Sequence, residues 1–187
     1  MPRPFCALLL LPFVLAAATA GATTVVRMDT RALVTRSSDI VVGEVSATRS
    51  YWDESRTRIL TDVTVRVESR LKGGAGGELT LTQLGGVVDG LRYHIEGSAA
   101  FAPGEEALLF VWRDPQGRAQ VNGLAQGKFE ILRDAAGRAT VQRSLPGLGV
   151  GDLKSLRPLR AGEAAPSLAL DDLLAEVRRV LAEEGGR

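Results

Sequence analysis

The clearest pattern in the chain is a regular alternation of apolar and polar residues at positions 59–71. Odd-numbered positions such as Val63 and Val65 are apolar, whereas the even-numbered positions from Asp62 to Arg70 are polar. Successive side chains of a β-strand point to opposite faces, so this period of two predicts a strand with one buried face. At roughly 3.3 Å per residue the strand would be about 40 Å long, which favours a sheet that curls around a barrel.

Shorter apolar segments predict the strands around it. Residues 39–48 form a dense apolar run, residues 78–83 alternate, and residues 107–112 are apolar on both faces, as in a buried central strand. Two similar segments, 112–119 and 132–139, each place a glycine three residues after an aspartate. This spacing predicts two hairpin turns.

Both ends of the region after residue 22 predict helices. Residues 30–37 place Leu33 and Val34 on one side of one or two helical turns. Residues 167–184 carry an aliphatic stripe on one helical face, with Asp171 and Asp172 at its start. We expect this stripe to cover an open side of the barrel, and docking on a partner is the alternative.

The order of these elements predicts a mainly β protein. Strands in meander order, a helix at each end and no βαβ alternation indicate a small antiparallel, partly closed OB-like barrel with a short N-terminal helix and a C-terminal amphipathic helix. The barrel domain is predicted over residues 23–141 and a Gly/Pro-rich linker over 142–166. The helix at 167–184 is predicted to pack on the barrel.

The first 22 residues have the pattern of an export signal. Arg3 precedes an apolar run at 5–18, and small residues follow as far as Ala22. The run is too short to span a bilayer, and it contains Pro12. We therefore predict a cleaved signal peptide at 1–22, a periplasmic or extracellular location, and no stable membrane insertion after cleavage.

Charge and residue counts exclude several kinds of site. The chain has 23 Lys plus Arg against 22 Asp plus Glu, so it lacks the positive field that holds nucleic acid. Its single cysteine, Cys6, lies in the predicted signal, and a lone histidine cannot build a closed zinc site. Three residues separate the two glycines before Lys128, whereas a phosphate loop has four between its glycines, so the segment does not match one. We expect no cofactor, no metal and no catalytic residue.

Three segments together resemble a known family. They are residues 38–45 (SDIVVGEV), the alternating strand that ends at residues 71–73 (LKG), and residues 103–110 (PGEEALLF). Their succession resembles the netrin-like OB modules, which include the tissue inhibitors of metalloproteases. The resemblance covers about half of the chain and implies an OB-type barrel with a binding role.

The chain departs from those inhibitors at its predicted mature end. In the inhibitors the first cysteine of the mature protein binds the protease zinc through its amino and carbonyl groups, and disulfides hold that segment. The chain after residue 22 contains no cysteine. Thr23 therefore does not inherit the role by alignment.

Two connections contain the candidate binding residues. Residues 49–57 include Tyr51 and Trp52, and adjacent strand side chains point opposite ways, so one of the pair is expected to anchor an interface. The alternative is that Trp52 covers the barrel end. The long connection 85–104 includes Arg92, Tyr93 and His94, and it is either a binding loop or an unrecognised strand.

These observations predict an exported, non-enzymatic module that binds a protein or other extracytoplasmic ligand through the two connections. Inhibition of a protease is one form of this binding, and only the family resemblance implies it. One alternative is a secreted hydrolase that uses His94 with Ser98 and either Asp89 or Glu96. The other is a structural component of the cell envelope.

Overall fold

The computed structural model describes residues 28–143, residue 145 and residues 168–186. The predicted signal peptide at 1–22 and nearly all of the predicted linker lie outside these residues. The elements in chain order are α1 (Thr30–Arg36), β1 (Asp39–Trp52), β2 (Ile59–Lys72), β3 (Glu78–Leu84), β4 (Gly86–Val88), β5 (Leu91–Tyr93), β6 (Glu106–Arg113), β7 (Ala119–Val121), a 3-10 turn (Leu124–Gly127), β8 (Lys128–Arg133), β9 (Ala139–Gln142), β10 (Leu168–Ala169) and α2 (Leu170–Gly185).

Five strands close into a barrel. The order is β1-β2-β3-β7-β6, and β6 returns to pair with β1. Four of the five pairings are antiparallel, and β3 pairs with β7 in parallel at one position, Leu81 with Ala119. The prediction of a mainly β, OB-like barrel is confirmed. The parallel pair makes the barrel mixed, and not antiparallel throughout as the sequence predicted, because the chain crosses from β3 to β6 before it forms β7.

The barrel interior is filled by the inward side chains of these strands. Val63 and Val65, two of the predicted inward positions of β2, are 1% and 0% exposed. A Cβ on Gly43 would collide with the Arg66 carbonyl oxygen, so β1 approaches β2 closely at this glycine. The other buried members of the interior cluster include Val41, Val45, Leu79, Leu81, Ala107, Leu109, Val111, Ala119 and Val121.

A second apolar cluster covers the outside of the barrel wall. Strands β8 and β9 extend the sheet from β6, and both helices pack across this extended face. Leu173 and Val177 of α2 are 1% and 0% exposed. The helical stripe therefore packs on the outer face of the barrel wall, whereas the sequence pattern predicted that it covers an open side. The stripe packs in one cluster with Leu33, Val34, Ile40, Val42, Leu108, Phe110, Phe129, Ile131 and Val141.

Both predicted hairpin turns form with the same hydrogen bonds. Asp114 accepts the backbone N–H groups of Gln116 and Arg118, and Gly117 has φ +80°. Asp134 repeats this pattern, and Gly137 has φ +78°. The shared turn chemistry explains the local sequence repeat.

The connection predicted at 49–57 is shorter than expected. Strand β1 continues to Trp52, and its last residues pair with β2 as Ser50 with Thr61, Tyr51 with Leu60, and Trp52 with Ile59. Cross-strand side-chain contacts of this kind stabilise the added pairs. The turn is reduced to residues 53–58, where Asp53 accepts the backbone N–H of Thr57.

The connection at 85–104 contains two short strands that form a hairpin, where the sequence left open either a binding loop or one unrecognised strand. Strands β4 and β5 pair around Asp89 and Gly90, whose φ values are +52° and +76°. Asp-Gly favours such two-residue turns because both positions need positive φ. Within the described part of the chain, no helix has the length and apolar character needed to cross a membrane.

Candidate binding groove

The sheet of β1, β2 and β3 projects past the rest of the barrel. Strand β1 pairs with β6 only between Asp39 and Glu44, whereas its pairing with β2 continues to Trp52. A register shift between Val45 and Ala47 inserts an extra residue, so the even-numbered residues of β1 beyond it share the inner face. The projecting sheet therefore has one polar inner face at the barrel mouth.

The β4–β5 hairpin packs against this inner face. The Thr61 hydroxyl donates to the Gly85 carbonyl oxygen at 2.6 Å and lies 2.8 Å from the Ser50 hydroxyl. Because Thr61 has one proton to donate, Ser50 is the donor between the two hydroxyls. A Cβ on Gly86 would collide with both hydroxyl oxygens, so glycine lets the hairpin sit directly on the strands.

Between the hairpin and the projecting sheet lies a groove of about 420 Å³, which we call the mouth groove. Buried Val63, the end of β3 and part of the connection after β5 contribute to its lining. It is lined by Thr48, Ser50, Thr61, Val63, Gln83, Leu84, Gly85, Gly86, Val87, Arg92, Tyr93, His94, Ile95, Ser98, Ala99, Ala100 and Phe101.

The lining combines aromatic, neutral polar and basic groups. Tyr93 and Phe101 supply the aromatic rings, and Arg92 supplies a fixed positive charge. Among the described residues, no aspartate or glutamate lines the groove. The lining is therefore neutral to positive, although the whole chain is nearly neutral.

Exposed apolar side chains concentrate on the same side of the molecule. Six large apolar side chains are exposed in the described ranges, and four of them lie at the end of β3 or on the hairpin. Leu91 is 58% exposed and Val87 is 48% exposed. The other two are Leu84 and Tyr93. Clustered exposed apolar groups beside a groove are typical of an interaction site.

The structure brings three of the five predicted site residues together. Arg92, Tyr93 and His94 are exposed and line the mouth groove. Trp52 is half-buried and donates its indole N–H to Asp89 at the hairpin tip, at 3.0 Å. It supports the wall of the groove and is absent from its lining.

Tyr51 lies on the opposite face of β1. Its hydroxyl donates to the Asp62 carboxylate at 3.1 Å, and Thr82 donates to the same oxygen at 2.8 Å. Partial burial, together with the charge of Asp62, raises the pKa of the Tyr51 phenol. Tyr51 therefore belongs to a structural cluster on the outer face, away from the groove.

Among the described residues, His94 lacks the hydroxyl partner that a catalytic triad needs. Its Nε2 lies 3.8 Å from Glu96 Oε2, and both side chains are more than half exposed. In the part of the chain described, His94 makes no hydrogen bond to a hydroxyl. The same residues contain no cluster of metal-ligating side chains.

Residues 99–101 lie in the connection 85–104, but the sequence pattern marked none of them as a candidate binding residue. This small-residue segment shows no alternation, yet it forms one side of the groove. Lys128 fixes the segment, because its ammonium lies 4.5 Å from the centre of the Phe101 ring and donates to the Ala100 carbonyl oxygen. Lys128 also pairs with Glu105. Only the fold brings Lys128 to Phe101.

No protein-family model, no curated protein and no solved structure matches this chain. The functional argument therefore rests on the geometry of the mouth groove.

Proposed function

We propose that this chain is an exported, non-enzymatic module that binds a protein ligand through the mouth groove. The observation that carries the proposal is that three exposed apolar side chains, Leu84, Val87 and Tyr93, line the groove, and that exposed Leu91 lies on the same hairpin. A concave surface next to apolar anchors matches the usual anatomy of a recognition site.

The scaffold around the groove supports this role. The wall is held by Trp52 and Asp89 on one side and by Lys128 on the other, so the groove exists before a ligand arrives. A preformed site loses less conformational entropy on binding than a disordered loop does. The resemblance to netrin-like inhibitors agrees with a binding role, and inhibition of a protease is the narrower form of the proposal.

The test compares two groove variants with a matched control. Tyr93→Ala and Val87→Ser remove exposed groups beside the groove, and Leu132→Ala removes an exposed leucine from β8. All three should unfold at nearly the wild-type temperature, because exposed positions change stability by about 0.5 kcal/mol or less.

The binding measurement has two steps. The purified protein captures partners from the extracytoplasmic fraction of the source cells, and each captured protein is then purified and its Kd measured. Tyr93→Ala and Val87→Ser should each raise the Kd by about tenfold, as expected for interface anchors, and Leu132→Ala should leave it unchanged. A Kd that is the same for all four proteins would remove the groove as the binding site.

A further inference from the structure

We propose that the mouth groove binds an extended, acidic segment of its protein partner as an added β-strand between the end of β3 and residues 99–101. This inference rests on the proposed function and names the chemistry of its ligand. Addition of a strand takes its affinity from main-chain hydrogen bonds and its selectivity from alternate side chains.

The junction between β3 and β7, which we call the barrel seam, leaves space for such a strand. Strands β3 and β7 pair only through Leu81 and Ala119, and β3 continues beyond that pair to Leu84. In the described ranges, no strand pairs with the last residues of β3 on the side away from β2. Gln83 contacts residues 99–101 instead, because its Nε2 donates to the Ala99 carbonyl oxygen at 3.5 Å, and Leu84 lines the same groove.

The segment opposite β3 has backbone donors to offer. Within the part of the chain that the structure describes, the backbone N–H groups of Ala99, Ala100 and Phe101 make no hydrogen bond. The Ala99 carbonyl oxygen accepts a hydrogen bond from Gln83 Nε2 at 3.5 Å, and the Ala100 carbonyl oxygen accepts one from Lys128 Nζ. The segment is thus held in place while its donors remain unpaired, as on the edge of a sheet.

The side chains around the seam select the ligand. Val87 would contact an apolar residue of an added strand, and Arg92, which is the cross-strand partner of Val87, lies on the same face of the hairpin. Arg92 is an exposed residue of the mouth groove, and none of the described residues that line the groove is an aspartate or glutamate. Glu96 lies beside His94 but outside the lining. An acidic residue of the ligand would pair with Arg92.

The probe is an mRNA-displayed library of random peptides about ten residues long, which is enough to span a typical strand. The purified protein should enrich peptides that alternate apolar residues, carry Asp or Glu at one end and lack proline in the middle. N-methylation of one central amide of an enriched peptide should raise its Kd by about tenfold or more, since it removes a main-chain donor.

Two variants test the protein side of the contact. Arg92→Glu should raise the Kd of the acidic peptides by about tenfold and lower the Kd of versions in which lysine replaces the acidic residue. Ala100→Pro should abolish binding, because it removes a donor that the free protein leaves unpaired. Arg178→Glu, at an exposed site on α2, is the matched control and should bind all peptides as the wild type does.

The inference is overturned if no peptide is enriched over the resin alone, or if enriched peptides tolerate N-methylation at every central amide. Should Ala100→Pro unfold, the N-methylated peptides and Arg92→Glu decide the question. If no peptide binds but Tyr93→Ala still weakens binding of the partner protein, the proposed function stands and the ligand is a folded surface of the partner. If no peptide binds and Tyr93→Ala leaves partner binding unchanged, both proposals are wrong.

Discussion

The indole N–H of Trp52 donates to the Asp89 carboxylate at 3.0 Å, and this bond joins the end of β1 to the tip of the β4–β5 hairpin. Asp89 also occupies the first left-handed position of the turn, with φ +52°. One residue therefore both shapes the hairpin and anchors it to the sheet. The two connections singled out in the sequence meet at this contact.

Trp52→Phe should loosen the hairpin without unfolding the barrel. The change keeps an aromatic ring and removes the donor to Asp89, so we expect a loss of about 0.5–1.5 kcal/mol, the usual worth of one hydrogen bond. Amide exchange at residues 86–93 should speed up by about tenfold, while exchange in β6 stays unchanged. Asp89→Asn, which tolerates positive φ and keeps an acceptor, is the milder control. Equal exchange rates in wild type and Trp52→Phe would contradict the anchoring role.

Gly86→Ala should destabilise the protein by about 2 kcal/mol or more. Gly86 has φ +139°, and an added Cβ would collide with the hydroxyls of Ser50 and Thr61, so strain and steric overlap add together. Gly74→Ala is the control, because a Cβ there meets nothing within 4 Å. Urea denaturation should separate the two variants clearly. A Gly86→Ala protein as stable as Gly74→Ala would show that the hairpin does not sit directly on the strands.

Leu173→Ala should cost about 2–5 kcal/mol, the range for a buried leucine in a well-packed core. Leu173 is 1% exposed between α2 and the outer barrel wall. Leu132→Ala, at a position that is 42% exposed, should change stability by about 0.5 kcal/mol or less. Thermal unfolding measures both. Nearly equal midpoints would favour the alternative that α2 docks on a partner.

Asp134→Asn should remove part of the acid sensitivity of the fold. Hydrogen bonds from the backbone and the guanidinium of Arg138 hold the pKa of Asp134 below its ordinary value of 3.8. Because the folded pKa is the lower one, this carboxylate stabilises the protein above pH 3.8 and loses that effect as the pH falls through the folded value. The wild type should therefore be the more stable protein near pH 6, and the difference should vanish in strong acid.

Chemical denaturation at several pH values measures this difference, and NMR titration measures the pKa directly. Arg138→Gln should move the pKa of Asp134 back towards 3.8. A stability gap that persists unchanged below the folded pKa would contradict the linkage.

His94→Ala should not abolish any hydrolytic activity of the purified protein. His94 lies 3.8 Å from Glu96, and among the described residues it makes no hydrogen bond to a hydroxyl group that it could activate as a nucleophile. Hydrolysis of ester and peptide substrates by the wild type and by His94→Ala is the measurement, and Leu132→Ala is the matched control variant. Turnover in the wild type that falls by about a thousandfold in His94→Ala would establish the hydrolase alternative instead.

The sequence determined those parts of the protein that depend on neighbouring residues. Alternation at 59–71 predicted β2, the Asp-x-x-Gly spacing predicted both hairpin turns, and the stripe of 167–184 predicted the buried face of α2. Each of these patterns works over a few residues, because backbone direction and turn geometry are local properties. They were enough to predict a mainly β, OB-like barrel with two helices.

Only the tertiary structure decided how the site is assembled. One extra residue between Val45 and Ala47 reverses the faces of β1 and so turns Trp52 towards the groove and Tyr51 away from it. The single pairing of Leu81 with Ala119 closes the barrel and leaves its seam open above. Both features depend on strands that are distant in the chain. A local sequence pattern does not specify which strands pair or where a β-bulge interrupts the pairing.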